Sequence, residues 1–468
     1  MGLNRIEIAK LVPLRRVVVL LALSLLLGTL TARCQPEPTE TAFDRRAQEF
    51  ARELERLRKQ YRIPSLTCAI VYNNQVRYTG AFGYSVPEEK RRATVTTPYR
   101  IASLTKPMMS LLILELVRDD SLSLDDHIGE HLPNYAKLCG KFSRSSSYYY
   151  EDYCCQPGCY NPLRYHLSHR ALGRPPGNEF MYNSPLYDLT LPVLENVAQQ
   201  PYPERLKERI FWQAGMEQTA VCQCPEDSAG FAPLYANLAP PYQIDDITGA
   251  LQRHPPPWPL EPSASAGIVS NVKDLARFDI ALNTGQLIER QWLDSAWTPP
   301  ITPEGDTLFY GLGWFTQWRH EPNLYWHYGW LLEGYSSLYL KVPDRELTLI
   351  LLANGEGLSE EFLLWKGDVR TSPFADAFLH LFVDDPLPSW RKLIRMEPSL
   401  PDDWPQTREE EAAHRQALAR AFGEYKPPVF QLFPPISPPG IAEPKQQIRR
   451  YLLPDISRLI WFIGRNTD

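Results

Sequence analysis

The sequence contains a serine and a lysine at a spacing suited to nucleophilic catalysis, in the segment Ser103-Leu104-Thr105-Lys106. A serine hydroxyl is a weak nucleophile at neutral pH and needs a neighbouring base. If Ser103 begins a helix, Lys106 lies one turn further along on the same face. Burial would then lower the pKa of the lysine, so that its amine could accept the serine proton. Backbone N–H groups at the start of the helix would face a developing oxyanion.

The same spacing also arises without any chemistry. Segments 270–273 and 389–392 repeat Ser-x-x-Lys, and an ordinary helix with a capping serine and a solvated lysine gives the same pattern. The residues after Lys106 favour the catalytic interpretation. Positions 108–117 are mostly apolar and predict a buried helix, which would desolvate the lysine.

Helical and strand patterns alternate around this segment. Apolar residues at helical spacing predict a helix over 42–60, and two β-rich runs joined at Asn73-Asn74 predict a hairpin. The remaining predictions are helices at 184–199, 203–215, 272–282 and 374–382, strands at 308–317, 335–342 and 347–353, and a proline-rich surface loop at 237–262. This order predicts an α/β (α+β) domain made from both ends of the chain, with a mainly helical region inserted between them.

The two ends of the sequence differ in character from this domain. Basic residues precede an apolar run, which predicts a signal peptide or N-terminal anchor over residues 1–34. Lipidation at Cys34 is an open alternative, although Arg33 departs from the small residue that normally precedes the modified cysteine. The domain is expected to span 43–385, and residues 386–468 to form a proline-rich extension. The expected location is extracytoplasmic, either periplasmic or in the cell envelope, with membrane association through the N-terminus left open.

The cysteines and the net charge bear on partners and compartment. Six cysteines fall in two segments, at positions 139, 154, 155, 159, 222 and 224. Because export favours disulfides, we expect these cysteines to form disulfides that connect one loop to another. A zinc site is the alternative. The first segment belongs to a Cys-rich insertion over 138–161, and Cys68 is expected to be a free core thiol.

A net charge of −6 without a basic stripe argues against a nucleic-acid partner.

Several segments, in order along the chain, resemble the serine β-lactamase and penicillin-recognising superfamily, specifically its class C-like branch. The segments are 100–106, 122–126, 176–184, 266–278, 310–314 and 327–337. The resemblance covers about 43–385 and implies the β-lactamase/DD-peptidase-like fold, an antiparallel sheet flanked by helices. It also implies acyl transfer without a metal or an organic cofactor.

The resemblance implies a role for each matching residue. Ser103 corresponds to the acylated nucleophile, Lys106 to its proton acceptor, and Tyr182 to the general acid/base that also helps to activate water. The sequence reads Tyr182-Asn183-Ser184 where the family has Tyr-x-Asn. Ser184, or Asn183 after a small backbone shift, would therefore contact the lysine or the substrate amide.

A third motif departs further from that of the β-lactamases. His327-Tyr328-Gly329 stands where they have Lys-Thr-Gly. His327 would hydrogen-bond the motif tyrosine, Tyr182, and carry positive charge only when protonated. Beside Gly329, the N–H group of Trp330 would complete the oxyanion hole together with that of Ser103. Because a permanent cation is missing, little or no β-lactamase activity is expected.

The leading hypothesis is an exported serine hydrolase of the esterase or D-peptidase type, acting on a small-molecule or peptide ester or amide. One alternative is a catalytically degenerate, penicillin-binding-like binding or sensor module, favoured by Ser184 and by the shortened segment before Pro176-Gly177. Another is a membrane-anchored envelope protein whose C-terminal extension mediates assembly. The sequence leaves the substrate and the oligomeric state open.

Overall fold

The computed structural model describes residues 41–384, apart from 133, 143–151, 156–158, 174, 223–231, 246–247, 256–261, 318–321 and 333. The predicted signal or anchor at 1–34 and the extension at 386–468 lie outside the described residues. The chain divides into two units, Met1–Glu49 and Phe50–Asp468, and apart from the first residues of the helix Ala42–Gln60 the features below belong to the second. Every helix in the described part of the chain is too short or too polar to span a lipid bilayer.

The described strands form three antiparallel sheets. They are β1 Ser65–Tyr72, β2 Gln75–Val86, β3 Arg91–Arg92, β4 Tyr99–Arg100, β5 Ala220–Val221, β6 Tyr242–Ile244, β7 Leu251–Arg253, β8 Ile268–Ser270, β9 Phe315–Gln317, β10 Leu324–Leu331, β11 Tyr335–Val342 and β12 Leu347–Ala353. The largest sheet has the order β3-β2-β1-β12-β11-β10-β9, and the smaller ones are β4-β8-β5 and β6-β7. Both ends of the domain therefore contribute to one sheet, as predicted.

Most helices lie, in sequence, between β3 and β9, and so between the two groups of strands that form the largest sheet. They are α1 Ala42–Gln60, α2 Thr105–Arg118, α3 Tyr135–Phe142, α4 Leu163–Leu167, α5 Ser184–Asp188, α6 Thr190–Ala198, α7 Tyr202–Leu206, α8 Trp212–Ala214, α9 Ala232–Ala236, α10 Val272–Asn283, α11 Arg290–Trp297 and α12 Pro373–Phe382. A π-helical turn, Lys207–Phe211, joins α7 to α8, and short 3₁₀ turns include Ala102–Leu104. The predicted mainly helical insertion is confirmed.

Several local predictions agree with the structure. Asn73 and Asn74 have φ angles of 51° and 56°, the left-handed conformation that a tight hairpin turn requires and that asparagine tolerates. Helix α2 is the predicted buried helix, because every side chain from Thr105 to Leu116 is buried. The apolar run after Lys106 thus places the start of α2 in the hydrophobic core.

Other predictions are wrong. The strand predicted over 308–317 is reduced to β9, because Gly313, with a φ angle of 78°, turns the chain just before it. The loop predicted over 237–262 contains the hairpin β6-β7. Strand β10 was not predicted, since its side chains are largely aromatic or apolar and show no alternation, and α11 was also missed.

The cysteines pair within the predicted insertion. Among the described residues, disulfides join Cys139 to Cys155 and Cys154 to Cys159. The prediction of disulfides is confirmed, but these two do not fasten one segment to the other. Cys222 is a buried free thiol, and Cys224 lies outside the described residues. Cys68 is buried and free, as predicted.

A buried ion pair fastens α10 to the sheet. The Lys341 ammonium on β11 donates to the Asp279 carboxylate on α10, and both side chains are buried. The Tyr339 hydroxyl donates to the same carboxylate at 2.5 Å, and Lys341 also donates to Asn283 Oδ1 at 2.7 Å. Because a buried charge is costly without a partner, the two groups depend on each other.

Replacing Lys341 alone should therefore destabilise the protein strongly. Lys341→Met leaves the Asp279 carboxylate buried without its counter-charge, and we expect the free energy of unfolding to fall by about 3–5 kcal/mol. Urea unfolding measures this loss. The matched control is Arg56→Met, which breaks an exposed pair with Glu53 and should change stability by less than about 1 kcal/mol. Equal losses in the two variants would contradict the assignment.

Candidate active site

Ser103 lies in the 3₁₀ turn that leads into α2, and neighbouring strands hold that turn. The Ile101 N–H donates to the Ile268 carbonyl at 3.0 Å, and the Ser337 hydroxyl donates to the Ile101 carbonyl at 2.8 Å. Ala102 has a φ angle of 52°, a left-handed conformation that is costly for a residue with a side chain. Contacts from β8 and β11 therefore fix the position of the Ser103 hydroxyl.

Lys106 is completely buried and contacts neutral oxygen atoms. Its Nζ donates to Ser103 Oγ at 3.2 Å, to Ser184 Oγ at 3.0 Å and to the Ser265 carbonyl at 3.3 Å. Burial lowers the pKa of Lys106 to about 7, although the Asp188 carboxylate acts in the opposite direction. Near neutral pH the side chain is therefore partly an unprotonated amine, which can accept the proton of the Ser103 hydroxyl.

Tyr182 presents a buried phenol beside these groups. Its ring centroid lies 4.7 Å from Lys106 Nζ. Burial, and then the neighbouring Tyr328, raise the pKa of Tyr182 well above its ordinary value, and the hydroxyls of Ser103 and Ser184 offset this only in part. The phenol oxygen has no hydrogen bond of good geometry among the described residues. Tyr182 is therefore protonated at neutral pH and has a proton to donate.

The two residues after Tyr182 have different surroundings. Ser184 Oγ accepts the hydrogen bond from Lys106. Asn183 Oδ1 instead accepts the Leu186 N–H at 2.8 Å and caps α5, while the Asn183 N–H donates to His169 Nδ1 at 3.1 Å. The side chain of Asn183 thus completes a helix end, and the lysine contact falls to Ser184.

His327 is buried within β10, and both of its ring nitrogens are engaged. Nδ1 pairs with the Tyr328 carbonyl at 2.7 Å, which places the ring proton on Nδ1. Nε2 consequently accepts from the Tyr310 hydroxyl at 2.9 Å. The predicted hydrogen bond from His327 to Tyr182 does not form, because Tyr310 takes that place. Burial, followed by the charge of Lys106, lowers the pKa of His327 well below its ordinary value, so the imidazole is neutral.

Gly329 lets β10 pass directly against the turn that carries Ser103. A Cβ at this position would lie 2.1 Å from Ser337 Oγ and 2.5 Å from the Ile101 carbonyl oxygen. The Ser359 hydroxyl donates to the Gly329 carbonyl at 3.0 Å and holds the strand from the other side. Trp330 follows with its side chain 39% exposed. The backbone N–H of Trp330 follows directly after Gly329, at the point where β10 lies against the turn that carries Ser103.

Asp188 supports Lys106, and sequence reasoning missed it. Its Oδ1 accepts the Ser265 N–H at 2.8 Å and the Ser263 hydroxyl at 2.9 Å, and its Oδ2 accepts the Ser265 hydroxyl at 2.9 Å. The Ser265 carbonyl in turn accepts from Lys106. The one available signal was that Asp188 lies one helical turn after Ser184, on the same face of α5.

His169 packs behind Tyr182, and its role was also missed. Their ring centroids are 4.3 Å apart, and His169 Nε2 is buried without a partner among the described residues. Burial, followed by the charge of Lys106, lowers the pKa of His169 well below its ordinary value. The available signal was a pair of histidines in the segment Arg164-Tyr165-His166-Leu167-Ser168-His169. The neutral ring of His169 packs against the phenol ring.

Comparisons with known proteins agree with this geometry. Residues 50–369 match the protein family described as Beta-lactamase. Penicillin-binding protein 4* of Bacillus subtilis (strain 168) is 27% identical over 300 residues, which cover 60% of this chain and 66% of that protein. The chain spans 60% to 66% of the length of such curated relatives.

Solved structures with the same fold extend the likeness. EstCE1, described as a hydrolase with promiscuous acyltransferase activity, superposes with a TM-score of 0.54 at 18% identity, covering 72% of this chain and 99% of that one. D-amino acid amidase from Ochrobactrum anthropi SV3 superposes with a TM-score of 0.50 at 19% identity, covering 65% and 91%. At these identities the likeness concerns the fold, and it confirms the expected antiparallel sheet flanked by helices.

Asp188→Asn should move the pH dependence of acylation. The Asp188 carboxylate stabilises the Lys106 ammonium, so its removal lowers the lysine pKa further below about 7. Because the unprotonated amine is the reactive form, the acid limb of kcat/KM should shift to lower pH. Hydrolysis of a p-nitrophenyl ester, followed as a function of pH, measures the shift. Asp294→Asn, in an exposed pair with Arg290, should leave the profile in place. An unshifted limb in Asp188→Asn would refute the electrostatic role.

Gly329→Ala should impair acylation by crowding the turn that carries Ser103. The added methyl group overlaps Ser337 Oγ and the Ile101 carbonyl, so the strand or the turn must move, and we expect kcat/KM to fall about 100-fold. The double variant Gly329→Ala/Ser337→Ala removes only the side-chain overlap. It should stay slow because the Ile101 carbonyl remains, whereas Ser337→Ala alone should lose less. A Gly329→Ala enzyme with wild-type rates would contradict this reading.

Proposed function

The chain belongs to the beta-lactamase family of serine hydrolases, and we propose that it cleaves an ester or amide through an acyl-enzyme on Ser103. The observation that carries the proposal is the buried amine of Lys106, with a pKa of about 7, at 3.2 Å from the Ser103 hydroxyl. The superfamily resemblance drawn from the sequence is confirmed by the family match. Its class C-like character stays a prediction.

Acylation in this proposal uses the protonation states described above. The Lys106 amine accepts the proton of Ser103 as Oγ attacks the substrate carbonyl carbon, and the N–H groups of Ser103 and Trp330 bind the oxyanion. Tyr182 then donates its proton to the leaving oxygen or nitrogen as the bond to the carbonyl carbon breaks. The Lys106 ammonium returns a proton to the Tyr182 phenolate, which restores both groups.

Deacylation reverses the proton path with water as the nucleophile. The Lys106 amine, assisted by Tyr182, accepts a proton from the water that attacks the acyl carbon. Collapse of the second tetrahedral intermediate releases the carboxylic acid, and the proton returns to Ser103 Oγ. The residues themselves supply each proton transfer, so the proposed cycle uses no metal and no cofactor.

The substrate is proposed to lack a carboxylate next to the scissile bond. His327 stands where the β-lactamases have a lysine, and here it is neutral and bonded to Tyr310. A carboxylate on the substrate would find no permanent cation from that motif, which disfavours β-lactams and favours esters and amides without a carboxylate at that place. The descriptions of EstCE1 as a hydrolase and of the Ochrobactrum enzyme as a D-amino acid amidase support an ester or a D-amino-acid amide.

We propose an extracytoplasmic location, supported by the disulfides between Cys139 and Cys155 and between Cys154 and Cys159.

The alternative function, a catalytically degenerate binding module, is favoured in the sequence by Ser184 in the place of asparagine. Because Ser184 keeps a 3.0 Å contact with Lys106, this substitution does not disable the proposed base.

Covalent labelling tests the nucleophile. A fluorophosphonate probe should add one label to the wild type, detected by intact mass, and none to Ser103→Ala. Ser270→Ala is the matched control, since Ser270 also precedes a lysine by three residues but is buried in β8 with its hydroxyl paired to Thr219 at 2.7 Å. Its labelling should equal that of the wild type. Undiminished labelling of Ser103→Ala would overturn the proposal.

A comparison of substrates with and without a carboxylate tests this proposal. A p-nitrophenyl ester and D-alanine amide should be hydrolysed with higher kcat/KM than a D-Ala-D-Ala peptide or a penicillin, because the latter two carry a carboxylate. Chromatography of the products measures all four reactions in one format. Faster turnover of the two carboxylates would refute the proposed substrate class while leaving Ser103 as the nucleophile.

A further inference from the structure

A groove of 210 Å³ is lined mainly by residues of the segments 164–170 and 295–300. None of Ser103, Lys106, Tyr182 or His327 lines it. Its described lining contains two arginines, three hydroxyl side chains and apolar walls, and no acidic residue. The groove therefore combines positive charge with apolar surface, and the catalytic proposal gives it no task.

Arg170 supplies an uncompensated charge to this groove. It is 7% exposed. Its Nε donates to Ser168 Oγ at 2.9 Å, its Nη1 donates to the Gly177 carbonyl at 3.3 Å, and the guanidinium lies 4.6 Å from the centroid of the Tyr165 ring. All three partners are neutral, and Arg170 forms no ion pair within the described part of the chain. Burial and the nearby charge of Arg164 lower the pKa of Arg170, so its charge is held at a cost.

Arg164, the second arginine of the groove, has its counter-charge already. Its Nη2 donates to Asp125 Oδ2 at 2.6 Å. This ion pair balances its charge, so the excess positive charge of the groove belongs to Arg170. The difference matters because a buried charge is normally kept only where a partner compensates it.

We propose that the groove binds a small organic carboxylate, with Arg170 as its ion-pair partner. A planar guanidinium matches a carboxylate and pairs with it more strongly than with a neutral acceptor. Pro299 and Leu312 provide apolar surface for the carbon part of the ligand, and Ser295 and Thr298 belong to the same lining. The volume suits a ligand of about amino-acid size and is below the usual range of about 300–1,000 Å³ for drug-sized ligands.

The test uses acetate as the probe and the full-length protein. Thermal unfolding is followed while acetate replaces chloride at constant ionic strength. We expect a saturable rise in Tm for the wild type, because a ligand that binds the folded state stabilises it. Arg170→Gln should weaken the apparent affinity for acetate about tenfold or more, since it removes a charge-assisted hydrogen bond. Arg290→Gln, which alters an exposed arginine, should respond like the wild type.

A second variant keeps the proposal testable if Arg170→Gln does not fold. Thr298→Glu places a carboxylate on the groove lining and should occupy the site from within, so that acetate no longer raises Tm. Inorganic phosphate serves as the competing probe. A wild type that shows no saturable response to acetate, a response equal in all variants, or a response to phosphate alone would each overturn the proposal. None of these results depends on Ser103 chemistry.

Discussion

The removal of one lysine side chain from water is the interaction on which the site depends. In water the ammonium of a lysine is stable and cannot act as a base near neutral pH. Helix α2 is buried along most of its length, and Lys106 enters the core with it. There its Nζ donates to neutral oxygen atoms, while the carboxylate of Asp188, which is bonded to Ser265, limits the fall in pKa. The balance between desolvation and this one negative charge leaves the amine able to take and return a proton.

The remaining site groups are held neutral by the same burial. Tyr182 keeps its proton, and His327 and His169 do not gain one, because each sits where charge is costly. Their hydrogen bonds maintain this state: His327 lies between the Tyr328 carbonyl and the Tyr310 hydroxyl. The chain thus has the fold of its family, but the motif His327-Tyr328-Gly329 in its site carries no cation. In the proposed reaction, binding of the substrate therefore depends on shape and on backbone N–H groups more than on charge.

Much of the architecture was predictable because it depends on short-range patterns. The hairpin at Asn73-Asn74, the buried helix α2 and the long helical insertion follow from turn chemistry and from apolar periodicity. Elements without such a pattern were missed. Strand β10 is a run of mostly aromatic and apolar residues with no alternation, and the consecutive residues Trp326 to Gly329 are all buried. The hairpin β6-β7 was hidden in a proline-rich stretch.

The sequence predicts that Ser103 and Lys106 meet, because residues three apart lie on one face wherever the chain is helical. The apolar residues that follow indicate both the helix and the burial of the lysine. Which distant groups complete the site follows instead from the packing of separate elements. Tyr310 rather than Tyr182 bonds to His327, and the contact between Asp188 and Ser265 joins residues 77 positions apart. Such contacts depend on how separate elements pack and on where that packing directs each side chain, and no local pattern carries that information.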